Sequence, residues 1–296
     1  MKKRTLLIGN FGDHNVGDEL ILSLALEAYP NALVMTSNAL ASQTFCERTF
    51  PTVPFFPVGL RSFGRFIFSK KYRQSVKDLQ KQVDQIVFPG GGLFAIRFKA
   101  YLLWFGVLFW CRLLLKRVPI VFEHQGIDTR IDFGKKMLLS WVFSGARKIS
   151  TRNRASADLM RDICHRNIIS EADRVRSWSV PFATEGPRLL LNAIRPCEAE
   201  YESLRKEFPH HTFVFIAFAP ADLACVPEAF EGQVVFPRTQ SEVKNIFSCF
   251  ERAIGERLHF LICAQVFSKD QKVYSLRKPY SEKVDRFMDE EGITVF

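Results

Sequence analysis

Short apolar runs recur along the chain and predict buried strands at residues 4–8, 32–36, 85–88, 118–122 and 148–151. Between several of them the apolar positions switch to a helical period. In "DELILSLALEAY", Leu20, Ile21, Leu24, Ala25 and Ala28 share one helix face, with Asp18 placed to cap the first turn. Strands alternating with helices imply a parallel sheet covered on both faces. Residues 150–190 are more polar and basic and end in Pro181, Gly186 and Pro187, which reads as a linker. Alternation then resumes, with strands at 212–218, 233–236 and 272–276. "SEVKNIFSCFERAIG" reads as one helix capped by Ser241, and "SEKVDRFMDEEG" as another, running from Ser281 to a stop at Gly292. A last strand is expected at 293–296. The expected fold is α/β, with two Rossmann-like domains facing a cleft, residues 1–180 and 188–296.

Composition narrows the class. The chain has 296 residues, 47% hydrophobic and 24% charged, enough for one large or two modest cores. Its 29 phenylalanines are a surplus, some of which is expected at a surface. A net charge of +10 points to an anionic partner: a phosphorylated small molecule, an acidic polymer or an anionic membrane surface. Seven scattered cysteines without C-x-x-C spacing argue against a disulfide framework and fit a reducing compartment, so a cytoplasmic location is expected. In "MKKRTLLIGN" the apolar run is far too short for a signal peptide.

Two segments raise the question of membranes. The apolar run that opens "YLLWFGVLFWCRLLLKRVPIVF", residues 101–122, is broken by Arg112, well short of the ~20 residues a span needs. A buried helix followed by a strand is expected. The alternative is a face touching the membrane, with Trp104, Phe105, Phe109 and Trp110 beside Arg112, Lys116 and Arg117. Residues 61–81 interleave Phe63, Phe66 and Phe68 with Arg61, Arg65, Lys70 and Lys71. They suit peripheral contact with the inner face of a membrane, stacking on sugar rings, or simply a solvated basic helix. No known nucleic-acid module motif appears, so no nucleic-acid partner is expected.

The chemistry gathers at glycines. Gly9, Gly12 and Gly17 lie between the first strand and its helix, and Gly90, Gly91 and Gly92 follow another strand. Open α/β sheets bind ligands at the carboxyl ends of their strands, where glycine lets backbone N–H groups approach an anion. Neither turn has dinucleotide or P-loop spacing, and each alone could be merely a tight turn.

The order of the motifs says more. "GNFGDHNVGDELIL" is followed by "DQIVFPGGGLF", "HQGIDTRID", "KISTRNRASADLMRD", "NIFSCFERAIGERLHFLICAQ" and "KPYSEKVDRFMDEEGI". This series resembles the polysaccharide pyruvyl transferase family, with matches at residues 12–19, 90–92, 125–127, 152–159, 257–264 and 280–283. The resemblance implies a fold similar to glycosyltransferase type B. It implies transfer of a carboxyethylidene group from phosphoenolpyruvate to a glycan or lipid-linked sugar, with no metal or other cofactor. The chain departs from the family pattern in three places. No acidic residue follows "GGG" closely, Asp128 and Thr129 follow "GQGI", and Glu256 stands directly before Arg257.

That reaction needs an acid for carbon, a base for oxygen and a clamp for a trianion. Arg257 offers a planar fork for carboxylate or phosphate. His259 is the expected general acid, its alternative role being a hydrogen-bonded core histidine. Asp18 is the expected base or only the helix cap. Asn15, beside His14, could bond a sugar hydroxyl or fix the turn. Gly17, Gly91 and Gly92 are expected to present N–H groups to the substrate. Arg152 and Lys283 fit as further cations or as surface charges, with Arg195 a weaker candidate. Two other classes stay open: a nucleotide-sugar glycosyltransferase of the same shape, and a non-catalytic glycan- or membrane-binding relative.

Overall fold

Strand β1 (Arg4–Ile8) carries Leu6, Leu7 and Ile8, all fully buried, which places it in the middle of a sheet covered on both sides. The computed structural model describes residues 4–53, 68–70, 74, 78–79, 81–94, 98–114, 118–127, 131–184, 186–268, 272–279 and 281–296. Most of the basic aromatic segment at 61–81 lies outside these residues. The chain forms two compact units. The first takes Met1–Asp13, Leu24–Leu40 and Thr49–Arg174; the second takes His14–Ser23, Ala41–Arg48 and Val175–Phe296.

In the first unit β1 is flanked by β2 (Leu33–Met35) and β4 (Val83–Phe88), with β3 (Thr52–Val53) beyond β2. On the other side follow β6 (Ile120–Ile127), β7 (Ala146–Thr151) and β8 (Ile169–Ser170), while β5 (Gly91–Phe94) pairs with β6. Every pairing is parallel, with Leu7 opposite Val34 and Val87. Strand order reverses between β1 and β4, so the glycine turns after Ile8 and Phe88 leave the sheet side by side at its switch point. Helices α1 (Val16–Ala28) and α2 (Ala39–Phe45) follow β1 and β2 and are divided between the two units. Helices α3 (Phe98–Leu114), α4 (Phe133–Ser144) and α5 (Arg154–Cys164) belong to the first unit. Much of the phenylalanine surplus is structural: Phe88, Phe94, Phe122 and Phe143 stack through the core at ring separations of 4.5–6.2 Å.

The second unit holds a five-stranded parallel sheet. Its members are β9 (Arg188–Asn192), β10 (Thr212–Ile216), β11 (Gly232–Val235), β12 (Arg252–Gly255) and β13 (Val273–Ser275), in the order β11-β10-β9-β12-β13. Helices α6 (Glu198–Glu207), α7 (Gln240–Phe247), α8 (Leu258–Phe267) and α9 (Glu282–Glu291) connect and cover it. Here the order reverses between β9 and β12.

Several sequence expectations need correcting. The helix read across 241–255 ends at Phe247 and is capped by Thr239, not Ser241; its remainder becomes β12. Ala253, Ile254 and Gly255 are fully buried, and the sheet's demand for an apolar strand beside β9 outweighs local helical periodicity. The sequence reading missed β9 altogether, although Leu189, Leu190 and Leu191 are its centre. The stretch read as a linker contains α5 and β8. Residues 293–296 make one isolated bridge, Val295 to Ser275, rather than a strand.

Candidate functional site

Helix α1 begins because Asn15 lets it. The Asn15 Oδ1 accepts from the N–H of Gly17 at 3.0 Å and of Asp18 at 3.4 Å, satisfying two of the first-turn donors. Asn15, not Asp18, is therefore the cap, and Asp18 sits within the helix's first turn with its side chain partly exposed. Asn15→Ala should cost about 1 kcal/mol of stability, read by denaturant melts. The turn before it is pinned by left-handed backbone at Gly12 (φ 96°) and His14 (φ 56°). A Cβ at Gly12 would lie 2.4 Å from the Asn38 nitrogen, so this position admits no side chain.

The second-unit switch point is built from side chains that tie strand ends together. Buried Asn192, at the end of β9, donates to the Ile216 carbonyl at 2.8 Å and accepts the Arg257 N–H at 3.0 Å. Arg257, leading into α8, extends its fork onto Asp222, with Nε 3.1 Å from both carboxylate oxygens. Asp222 is only 1% exposed and also accepts the N–H groups of Phe218 and Ala219. The expected clamp is thus held by its own counter-charge. Glu256, the carboxylate that the sequence placed beside Arg257, turns elsewhere: it takes the Ile194 N–H and the Arg195 guanidinium. That pairing also accounts for Arg195.

His259 lies one residue into α8 and packs against the first turn of α1. A Cβ built on Gly17 would fall 2.0 Å from its Nδ1 and 2.4 Å from its Cγ, so only glycine admits this approach. The Val16 N–H donates to the Phe218 carbonyl at 2.9 Å, fixing α1 onto the loop that holds Asp222. The structure therefore gathers Asn15, Gly17, Asp18, Arg257 and His259, motifs from opposite ends of the chain, in one unit. His259 is half-buried, with Nε2 shielded from solvent. Beside this turn a small pocket is lined by His14, Glu19, Phe45, Phe236 and Arg238, among others. Glu19 is buried and Arg238 lies over the Phe236 ring. Lys283 is in α9, and Tyr280 lies outside the described residues.

The remaining expected residues belong to the first unit. Gly91 and Gly92 open β5, with Gly90 (φ 136°) and Gly91 (φ 97°) in backbone conformations that L side chains rarely adopt. Arg152 is no surface charge. It is buried, pairs with buried Asp173 at 3.3 Å, and lies so close over Gly126 that a Cβ there would meet its guanidinium at 2.3 Å. Next to it are groups the sequence reading passed over. Glu123 accepts from Tyr29 and pairs with Arg174. Burial, then the bond to Glu123, pushes the Tyr29 phenol up to about 12. His124 holds a left-handed turn (φ 48°) inside β6 where the register to β7 slips, and donates from Nδ1 to the Ala172 carbonyl. "HQG" at a strand end was the available signal for this bulge.

No protein-family model matches the chain, and no curated protein sequence does. Solved structures do resemble it. A Listeria monocytogenes protein described as a UDP-N-acetylglucosamine 2-epimerase is similar over all of this chain and 84% of its own, at 8% identity and a TM-score of 0.61. MnaA of S. aureus in complex with UDP covers 98% and 87%, at 12% identity and a TM-score of 0.57. The UDP-GlcNAc 2-epimerase of Neisseria meningitidis bound to UDP-GlcNAc covers 100% and 87%, at 10% identity and a TM-score of 0.57. At such identities the likeness speaks to fold, and it assigns this chain the α/β architecture of two Rossmann-like units known as glycosyltransferase type B.

Proposed function

We propose that this chain is a glycan-directed transferase that moves the carboxyethylidene group of phosphoenolpyruvate onto a sugar. The observation that carries the reading is the seat of His259 on Gly17, because it joins the two most distinctive motifs of the ordered series at one place. In the proposed reaction His259 delivers a proton to C3 of the enol, leaving C2 electrophilic. A sugar hydroxyl attacks C2 and gives up its proton to Asp18, which the capping role of Asn15 leaves in the same turn. The C2–O bond to phosphate breaks, inorganic phosphate departs, and a second hydroxyl closes the ketal as it loses its proton. Arg257, oriented by Asp222, faces the donor's carboxylate or phosphate. Contacts of this kind tighten when substrate binds, which is when the shielded His259 Nε2 would engage.

A second reading, a nucleotide-sugar enzyme, is favoured by the UDP and UDP-GlcNAc complexes among the structures of the same fold. Purified protein incubated with phosphoenolpyruvate and candidate acceptor glycans, with phosphate release followed, separates the two. Acceptor-dependent release that falls at least ~100-fold in His259→Ala supports pyruvyl transfer. Thermal stabilisation by a nucleotide sugar, without response to phosphoenolpyruvate, would replace it.

A further inference from the structure

We propose that helices α3 and α4 present a docking surface for an anionic lipid bilayer. Phe133 and Met137 stand one turn apart on α4 and are 77% and 61% exposed. On α3, Phe109 is 46% exposed. The two helices are locked together just behind these side chains. The Phe105 ring lies 4.4 Å from that of Trp141, and Arg112 sits 4.3 Å over Trp141 while donating to the Val142 carbonyl at 3.0 Å. Trp141 is one turn beyond Met137, and Phe105 and Arg112 are one turn either side of Phe109, so the three exposed apolar residues continue one packed ridge.

Charge decides what covers this ridge. On and just beside α4 the charged residues are Asp132, Lys135, Lys136, Arg147 and Lys148, with Asp132 paired to Lys135 and Lys148 to Glu171. Lys136, beside Met137, and Arg147, just after α4, are exposed. Long apolar side chains flanked by cations match a boundary of acyl chains beneath anionic headgroups. Self-association would set this cationic face against its own like charges. Among the described residues no helix is long and apolar enough to cross a membrane, so the contact is one of lying on the surface. The sequence expectation is a buried helix; only its alternative places Trp104, Phe105, Phe109 and Trp110 at such a face. Trp104 is instead buried and Trp110 half-buried, and α4 supplies the anchors the sequence reading missed.

Co-sedimentation of the full chain with phosphatidylglycerol-containing vesicles, and with pure phosphatidylcholine vesicles, tests this. Preferential uptake by the anionic vesicles, weakened by salt and reduced about tenfold or more in Phe133→Ser/Met137→Ser, is expected. Lys136→Glu/Arg147→Glu should lower uptake and flatten its salt dependence. All these positions are exposed, so the variants should keep the wild-type melting temperature. Failure of the wild type to sediment with anionic vesicles overturns the proposal, as does undiminished sedimentation of Phe133→Ser/Met137→Ser. So does a wild-type dimer that this variant converts to monomer without any vesicle uptake, which would assign the ridge to a second copy.

Discussion

Gly17→Ala should lower transfer activity by at least ~100-fold while leaving a folded protein, although alanine is the better helix former by about 1 kcal/mol. The added methyl would overlap the Nδ1, Cγ and Cβ of His259 at 2.0, 2.4 and 2.8 Å. Those atoms lie at the root of the side chain as well as in its ring, so a small χ adjustment does not clear them and the imidazole must leave its seat. Overpacking of this kind costs about 1–3 kcal/mol. A double-mutant cycle makes the steric claim testable without any substrate. Removing the ring in His259→Ala opens the space, so Gly17→Ala should cost much less stability in that background than in the wild type. Equal costs in both backgrounds, measured by denaturant unfolding, would show that the contact does not govern this position.

The second large effect is expected at Asp222→Ala. The carboxylate is buried, carries the Arg257 guanidinium and accepts two backbone N–H groups. Its loss takes this counter-charge from Arg257 and this acceptor from two backbone donors beyond the end of β10. Breaking a buried pair from one side costs about 3–5 kcal/mol, and here the partner is the proposed donor clamp, so stability and activity should fall together. Asp222→Asn keeps an oxygen for the backbone N–H groups but removes the charge and turns the oxygen facing Arg257 into an NH2 that cannot accept from it. It should therefore recover much of the stability while Arg257 remains poorly oriented, with KM for phosphoenolpyruvate raised more than kcat is lowered. If Asp222→Asn restores neither, the carboxylate's role is wholly architectural.

The α/β class was legible because continuous apolar runs such as 4–8 and 85–88 have no other comfortable home than a sheet covered on both faces. The strands that escaped did so for physical reasons. β9 is only five residues long and follows Gly186 and Pro187, so its three leucines looked like the tail of a loop. β12 borrows residues whose spacing suits a helix, and only its neighbours β9 and β13 require it to extend. At the candidate site, Gly17, Arg257 and His259 could be named from motif order. Asp222 could not, since nothing in "PADLAC" announces that its carboxylate will meet a guanidinium 35 residues away. Asp18 was misread as a cap because Asp and Asn both serve, and only the N–H geometry distinguishes them.

The composition of the second unit has a consequence for biosynthesis. Its first helical turn comes from residues 14–23, yet the carbonyl that receives the Val16 N–H belongs to Phe218. A ribosome delivers these partners some two hundred residues apart, so the nascent chain must carry an unfinished glycine turn until Phe218 has been made. Closing so long a loop is entropically unfavourable and slow. The seat for His259 thus cannot form before both segments have emerged, and a fragment beginning at residue 175 would emerge with its imidazole resting on nothing.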